Sequence, residues 1–274
     1  MMPGQGGSRP IAVFDSGIGG LPYLAAAREV LRAESFVYLA DRAGFPYGTK
    51  PREEVRRIVL SLVSRVVEEY SPKAVVIACN TASQAALEAA RRAHPGLPII
   101  GTVPAVKPAA ERSRSRVIGI MASAGALEDP YLDSLVARHA KGLVVLRESA
   151  QELVSFVERR CAVAGEAERR EAVAPHVRRL VEGGADEIVL ACTHFLHLRD
   201  EIAATAGPEV EVVDSRMGVV SRLRQVLGER GLLDSESAAV GSLFLLTGTP
   251  PFEPEYRIIA GRFGLEGPEP LAAR

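Results

Sequence analysis

Residues 75–83 read VVIACNTAS. The run VVIAC is apolar without a break and ends on a thiol, Cys79, after which Asn80 and Thr81 open a segment with Ala82, Ala85, Ala86 and Ala89 at helical spacing. This pattern predicts a buried strand that gives way to a helix at the cysteine. Such a junction offers unpaired backbone N–H groups and the positive end of a helix dipole, and both favour a thiolate and an anionic ligand. The pattern then returns. Residues 188–194, IVLACTH, repeat the apolar run, the Ala-Cys pair and the hydroxyl residue after it, 192 − 79 = 113 positions further on. Two equivalent thiols predict two halves that face each other.

Working outward, IAVF (11–14) runs as a short buried-type strand into Asp15-Ser16-Gly17-Ile18-Gly19-Gly20, and Leu24, Ala27, Val30 and Leu31 follow at helical spacing. Phe36–Ala40 is a second strand. Thr49 is expected to cap the next helix, with Pro51 just inside it and Val55, Ile58, Val59, Leu62, Val63 and Val66 as its apolar stripe. Beyond the central strand and helix, 97–103 reads as a strand, and the Pro104 to Pro108 region as a crossover into a second domain. There the cycle restarts, with strand 117–121, a helix through Tyr131 and Leu135, strand 143–146 and a helix around 153–157. A mixed-charge helix over Glu166–Glu182 stops at Gly183-Gly184. After IVLAC, strand 210–213 leads to Asp214-Ser215, an echo of Asp15-Ser16, then to helix 219–227 and a strand over 242–247.

Strands alternating with helices predict an α/β fold of two pseudo-symmetric, doubly wound parallel-sheet domains, with the active site in the cleft between them. One domain is expected over 10–103 plus 216–266, the other over 104–215, with disordered tails at 1–9 and 267–274. In open α/β sheets ligands bind beyond the carboxyl ends of the strands, where Asp15, Ser16, Cys79 and Cys192 all fall.

Composition narrows the function. The 274 residues suit two domains, and a formal net charge of −1 predicts no electrostatic grip on nucleic acid. The start MMPGQGGSRP lacks the apolar core of a signal peptide, and no run of 18 apolar residues exists to span a bilayer, so a cytoplasmic protein without a membrane partner is expected. Three widely spaced cysteines in a reducing compartment predict free thiols.

Each motif has a plainer alternative. DSGIGG invites a dinucleotide reading, but Pro22 stands where that fingerprint needs glycine. A small-anion loop and a simple turn stay open. Any single cysteine is most often a buried structural thiol, and it is the repetition of Cys79 and Cys192 that argues for chemistry. Zinc is disfavoured, because neither belongs to a C-x-x-C pair and only His194 and His197 lie nearby. Cys161, beside Arg159 and Arg160, receives no function. His194 follows Cys192-Thr193 closely enough to share their site, whereas His94, His139 and His176 sit in surface-type contexts. Glu158 reads as a solvated helix charge, and Pro46-Tyr47-Gly48 as a turn.

Taken together, IAVFDSGIGGL, ADRAGFPYGTK, VVIACNTAS, GTVPAVKPAA and IVLACTH, in this order and spacing, resemble the cofactor-independent glutamate racemases of the aspartate/glutamate racemase superfamily. The resemblance extends from Ile11 to about Gly264. It implies a pyridoxal-independent racemase on free glutamate that supplies D-glutamate for peptidoglycan, with no cofactor and no metal, and commonly a homodimer. It further implies that Cys79 takes the α-proton of D-glutamate and Cys192 that of L-glutamate. Asp15 would assist Cys79, and His194 with Glu158 would assist Cys192. Ser16, Pro46, Tyr47, Gly48, Asn80, Thr81, Ser123 and Thr193 match substrate-holding positions, which Asp15 and His194 share.

The chain departs from the family pattern in three places. Phe195-Leu196 replace Tyr-Pro after His194, Ser123 and Ala126 stand where two threonines are usual, and the stretch before Glu158 lacks the usual proline. The alternatives are an aspartate racemase, a one-thiol decarboxylase, and a non-catalytic two-lobed amino-acid-binding protein. Racemisation removes a weakly acidic proton and returns one to the opposite face, which two opposed bases do without turning the intermediate over.

Overall fold

The computed structural model describes residues 9–235 and 242–271. The chain forms two compact units, one from residues up to Thr102 together with those from Arg216 onward, the other from Val103–Ser215.

The first unit contains β1 (Ile11–Asp15), α1 (Leu21–Val30), β2 (Phe36–Ala40), α2 (Arg52–Tyr70), β3 (Ala74–Ile77), α3 (Asn80–Ala93) and β4 (Ile99–Gly101). The second contains α4 (Val106–Arg112), β5 (Val117–Ala122), α5 (Ala124–Leu127), α6 (Pro130–His139), β6 (Val144–Ser149), α7 (Gln151–Arg159), α8 (Glu166–Glu182), β7 (Glu187–Leu190), α9 (Arg199–Ala206) and β8 (Glu211–Val213). The chain then returns to the first unit with α10 (Arg216–Glu229), β9 (Ser242–Leu246), α11 (Pro254–Arg262) and β10 (Glu269–Pro270).

Among the described residues every strand pairing is parallel, in sheets of order β10-β9-β2-β1-β3-β4 and β6-β5-β7-β8. The shared part of the two orders is the same, β2-β1-β3-β4 matching β6-β5-β7-β8. Both sheets therefore have their topological switch point where the second crossover jumps the first strand, between β1 and β3 and between β5 and β7. Central strands of the first sheet are covered by helices on both faces, and β1, β2 and β3 are buried at every position. On one face α2 and α3 pack against Ala12, Phe14, Val37, Leu39, Val75 and Ile77. The α2 stripe is sealed at Val55, Val59, Val63 and Val66, and each such burial contributes about 1.5–3 kcal/mol.

Four expectations need correction. Thr49 does not cap α2. It lies in a short 3-10 turn, Tyr47–Thr49, where its hydroxyl bonds to Pro46 O at 3.3 Å, and Pro51 is the N-cap, its carbonyl taking the amides of Glu54 and Val55. The strand expected over 97–103 is only Ile99–Gly101. The tail expected from 267 is folded through Leu271, because Glu269–Pro270 pair with β9, Leu271 N donates to Leu246 O, and the Leu271 side chain is buried. Residues 1–8 and 272–274, the rest of the expected tails, lie outside the described residues. Finally, His176 is not at the surface. Val173, His176, Val177 and Leu180 form the buried stripe of α8, and His176 sits between Glu148 Oε1 at 2.7 Å and Glu152 Oε1 at 3.1 Å.

Candidate active site

In the first unit the switch point brings the end of β1 beside the end of β3. Cys79 lies two residues past β3 and is the N-cap of α3, with Ala82 N–H donating to its sulfur at 3.4 Å. The strand-to-helix junction thus uses the thiol itself as the cap, in the place where serine or aspartate usually stands. The thiol reaches Ser16 Oγ at 3.7 Å, and that hydroxyl donates to Asp15 Oδ1 at 3.4 Å. A relay from sulfur through hydroxyl to carboxylate results, with Asp15 fully buried. The DSGIGG loop is held from within rather than left open, since Gly17 N donates to Asp15 Oδ1 at 2.9 Å and Gly20 N to Tyr38 Oη at 3.0 Å. Gly20 has to be glycine, because a Cβ there would lie 2.9 Å from that of Ala78 and 3.0 Å from that of Asp15. Asn80 is buried, and its Oδ1 has no hydrogen-bond partner among the described residues.

The Pro46-Tyr47-Gly48 turn is fixed by two residues that the sequence reading did not single out. Asp41 accepts hydrogen bonds from Tyr47 Oη at 2.6 Å, Thr247 Oγ1 at 2.5 Å and Gly44 N at 3.1 Å. Thr247 in turn accepts from Ala43 N at 2.9 Å. Burial, then the charge and hydrogen bond of Asp41, hold the Tyr47 phenol well above its ordinary range, with Cys79 and Asp15 close enough to add to the effect. Tyr47 therefore stays a neutral donor. The hydroxyl at the end of a strand candidate was the available signal for Thr247.

In the second unit Cys192 lies two residues past β7, the topological counterpart of β3. The counterpart of Asp15-Ser16 is Ala122-Ser123 at the end of β5, and Asp214 follows the outer strand β8 instead. No helix cap forms at this sulfur, and the chain continues as a 3-10 segment, Thr193–Leu198. Its chemistry comes from side chains. His194, buried in that segment, places Nε2 2.9 Å from Glu158 Oε2 and is hydrogen-bonded to Cys192. Glu158 is no solvated charge. It is on the buried side of α7 with Leu153, Val154 and Val157, and α7 packs against the 3-10 segment. Burial is the largest influence on His194 and disfavours its charge, yet the bonds to Cys192 and Glu158 outweigh it and hold the imidazole well above its ordinary pKa. Thr193 and Ser123 are both buried at the same strand edge. Cys161 is buried too, with Sγ 4.0 Å from His197 O.

The two thiols thus occupy equivalent strand ends with unlike support, a backbone amide and a Ser16-Asp15 relay for one, an imidazole-carboxylate pair for the other. Among the described residues no cluster of three His, Cys, Asp or Glu side chains suited to a metal ion occurs. None of the described helices is long and apolar enough to cross a membrane.

A parallel-sheet unit with a thiol just past a strand at its switch point occurs twice within this one chain. The Asp/Glu/Hydantoin racemase family model matches residues 22–220. A glutamate racemase of Sphingopyxis alaskensis is 46% identical over 218 residues, covering 78% of this chain and 80% of that protein. One from Roseiflexus sp. is 37% identical over 244 residues, 89% of each. Among solved structures, Escherichia coli glutamate racemase in complex with L-glutamate and the activator UDP-MurNAc-Ala superposes with a TM-score of 0.87 at 29% identity, covering 96% of this chain and 98% of that one. The chain belongs to the Asp/Glu/hydantoin racemase family.

Proposed function

We propose that this protein is a glutamate racemase that interconverts L- and D-glutamate by proton transfer at Cα between two cysteines. The observation that carries the proposal is the repeated strand order with a thiol two residues beyond the same strand in each unit, in a chain 46% identical to a glutamate racemase.

The Cys79 thiolate takes the α-proton of D-glutamate, so a C–H bond breaks and an S–H bond forms. The Cys192 thiol gives its proton to the opposite face, leaving L-glutamate and a Cys192 thiolate, and the reverse direction exchanges the roles. Each sulfur needs a means of losing its proton at neutral pH. For Cys79, the Ser16-Asp15 relay accepts it and the Ala82 N–H stabilises the anion left behind. For Cys192, the charged His194 backed by Glu158 stabilises the thiolate. Charge that develops on the substrate carboxylate as Cα loses its proton meets strand-end amides, preorganised donors of the kind that lower such barriers. In this reading Asn80 Oδ1, a buried acceptor without a partner among the described residues, receives the substrate ammonium. Pro46, Tyr47, Gly48, Thr81, Ser123 and Thr193 complete the substrate contacts. D-glutamate supplied in this way would serve peptidoglycan, in a reducing, cytoplasmic setting suited to free thiols, with a homodimer as the expected assembly.

The test is incubation of the purified protein with L- or D-glutamate in heavy water without added cofactor. Deuterium at Cα with inversion is expected. Recovery of unlabelled, uninverted glutamate would remove the proposal, and labelling of aspartate instead would redirect it to that amino acid.

A further inference from the structure

The start of α7, just past β6, carries a side-chain hydrogen-bond donor that none of the described residues uses. Gln151, the first residue of α7, turns its side chain toward the start of α5, where Oε1 accepts from Ala124 N at 3.3 Å. A backbone N–H can only donate, so this bond fixes the orientation of the amide and leaves Nε2 as the outward end. That Nε2 is buried and has no hydrogen-bond partner among the described residues. Buried polar groups in native proteins are nearly always satisfied, and one that is not calls for an acceptor that arrives from outside.

The strand order β6-β5-β7 sets what arrives. The end of β5, followed by Ser123 and Ala124, lies between the strand that precedes Gln151 and the strand that precedes Cys192. We propose that Gln151 is a specificity-determining residue whose Nε2 donates a hydrogen bond to the side-chain carboxylate of the amino acid held at Cys192. The proposal rests on the racemase reading above and deepens it. Adjacent strands lie about 4.8 Å apart. The three C–C bonds from Cα to the far carboxylate carbon of glutamate span about 4 Å when extended. A substrate with Cα at Cys192 therefore carries its second carboxylate over the end of β5, where the amide reaches. Ala126, two residues past Ala124, is buried and has no side-chain polar atom to offer, and the amide at the start of α7 supplies a donor instead.

Two variants test this by kinetics and by calorimetric glutamate binding. Gln151→Glu keeps an acceptor for Ala124 N but replaces the donor with a repelling charge, while Gln151→Ala removes both. The proposal expects KM and Kd for glutamate raised about tenfold to a hundredfold in Gln151→Glu with kcat within a few-fold, alongside a lower thermal midpoint from the buried carboxylate, and a smaller rise in KM and Kd for Gln151→Ala. If Gln151 serves only to hold Ala124, the order reverses, with Gln151→Glu binding glutamate like the parent and Gln151→Ala losing stability, and the proposal is overturned. A parent protein that binds glutamate without exchanging its α-proton would sink the racemase reading while leaving the binding comparison decisive for Gln151. A parent that neither binds nor exchanges glutamate overturns both.

Discussion

His194 Nε2 and Glu158 Oε2 lie 2.9 Å apart, both side chains are sealed from solvent, and 36 positions of chain separate them. The pair joins α7 to the segment that follows β7, so the chemistry beside Cys192 and the packing of the second unit depend on one ion pair.

Glu158→Gln leaves that imidazole without its carboxylate, and breaking a buried pair by removing one partner costs about 3 kcal/mol. The folded-state pKa of His194 is raised above its unfolded value, so the pair's stabilisation is fully present below the unfolded pKa and is lost as pH rises through the folded one. Denaturant titrations of the parent and Glu158→Gln should differ most at neutral and acidic pH and converge in alkaline buffer. The kcat for L-glutamate should fall more than the kcat for D-glutamate, while the two kcat/KM values fall together because the equilibrium between enantiomers fixes their ratio at one. Equal losses of kcat in both directions would detach the pair from Cys192.

Cys79→Ser and Cys192→Ser should each abolish racemisation, because a serine hydroxyl is far too weak an acid to supply a base at neutral pH. Cys161→Ser should keep activity within a few-fold, its buried sulfur lying 4.0 Å from His197 O. Chiral chromatography of the products decides it, and near-full activity of Cys192→Ser in both directions would end the two-base account.

Thr247→Val keeps the shape of the side chain but removes the hydroxyl between Asp41 and Ala43 N. A loss of about 1–2 kcal/mol of stability is expected. Tyr47 keeps its own bond to Asp41, so kcat should change little while KM for glutamate rises several-fold as the 46–48 turn loosens. Asp41→Asn, which weakens the same hub, should shift KM in the same direction. An unchanged KM in both variants would make the network a matter of stability alone.

Lys73 is buried with its ammonium 2.5 Å from Glu34 Oε2 and 2.8 Å from Asp234 Oδ2, and it donates to Leu232 O at 2.9 Å. Lys73→Met strands the buried Glu34 carboxylate and should cost about 3 kcal/mol. Activity per folded molecule should be retained, since none of these groups belongs to the candidate site. A calorimetric midpoint equal to that of the parent would contradict this assignment.

The sequence is most legible where the signal is local. Phe36–Ala40 and Glu166–Glu182 form the strand and helix that spacing predicts, and Cys79 sits at its strand-helix junction because an apolar run and an alanine-rich run meet there. What stays hidden depends on contacts far apart in the chain. Asp41 and Thr247 are separated by 206 positions, and no periodicity links them. Glu158 looks like any helix charge until its position beside Val154 and Val157 is seen to face His194. His176 could have been found, since it falls on the stripe of Val173, Val177 and Leu180, but the charges around it on α8 drew the reading outward.

The first unit is assembled from two stretches of chain with the whole second unit spliced between them. On the ribosome, Val103–Ser215 has been synthesised in full before the Ser242–Leu246 strand that must lie against Phe36–Ala40 has been made. The inserted unit can therefore begin its own sheet during translation, while the host waits with one side of β2 unpaired until the residues from Ser242 onward arrive.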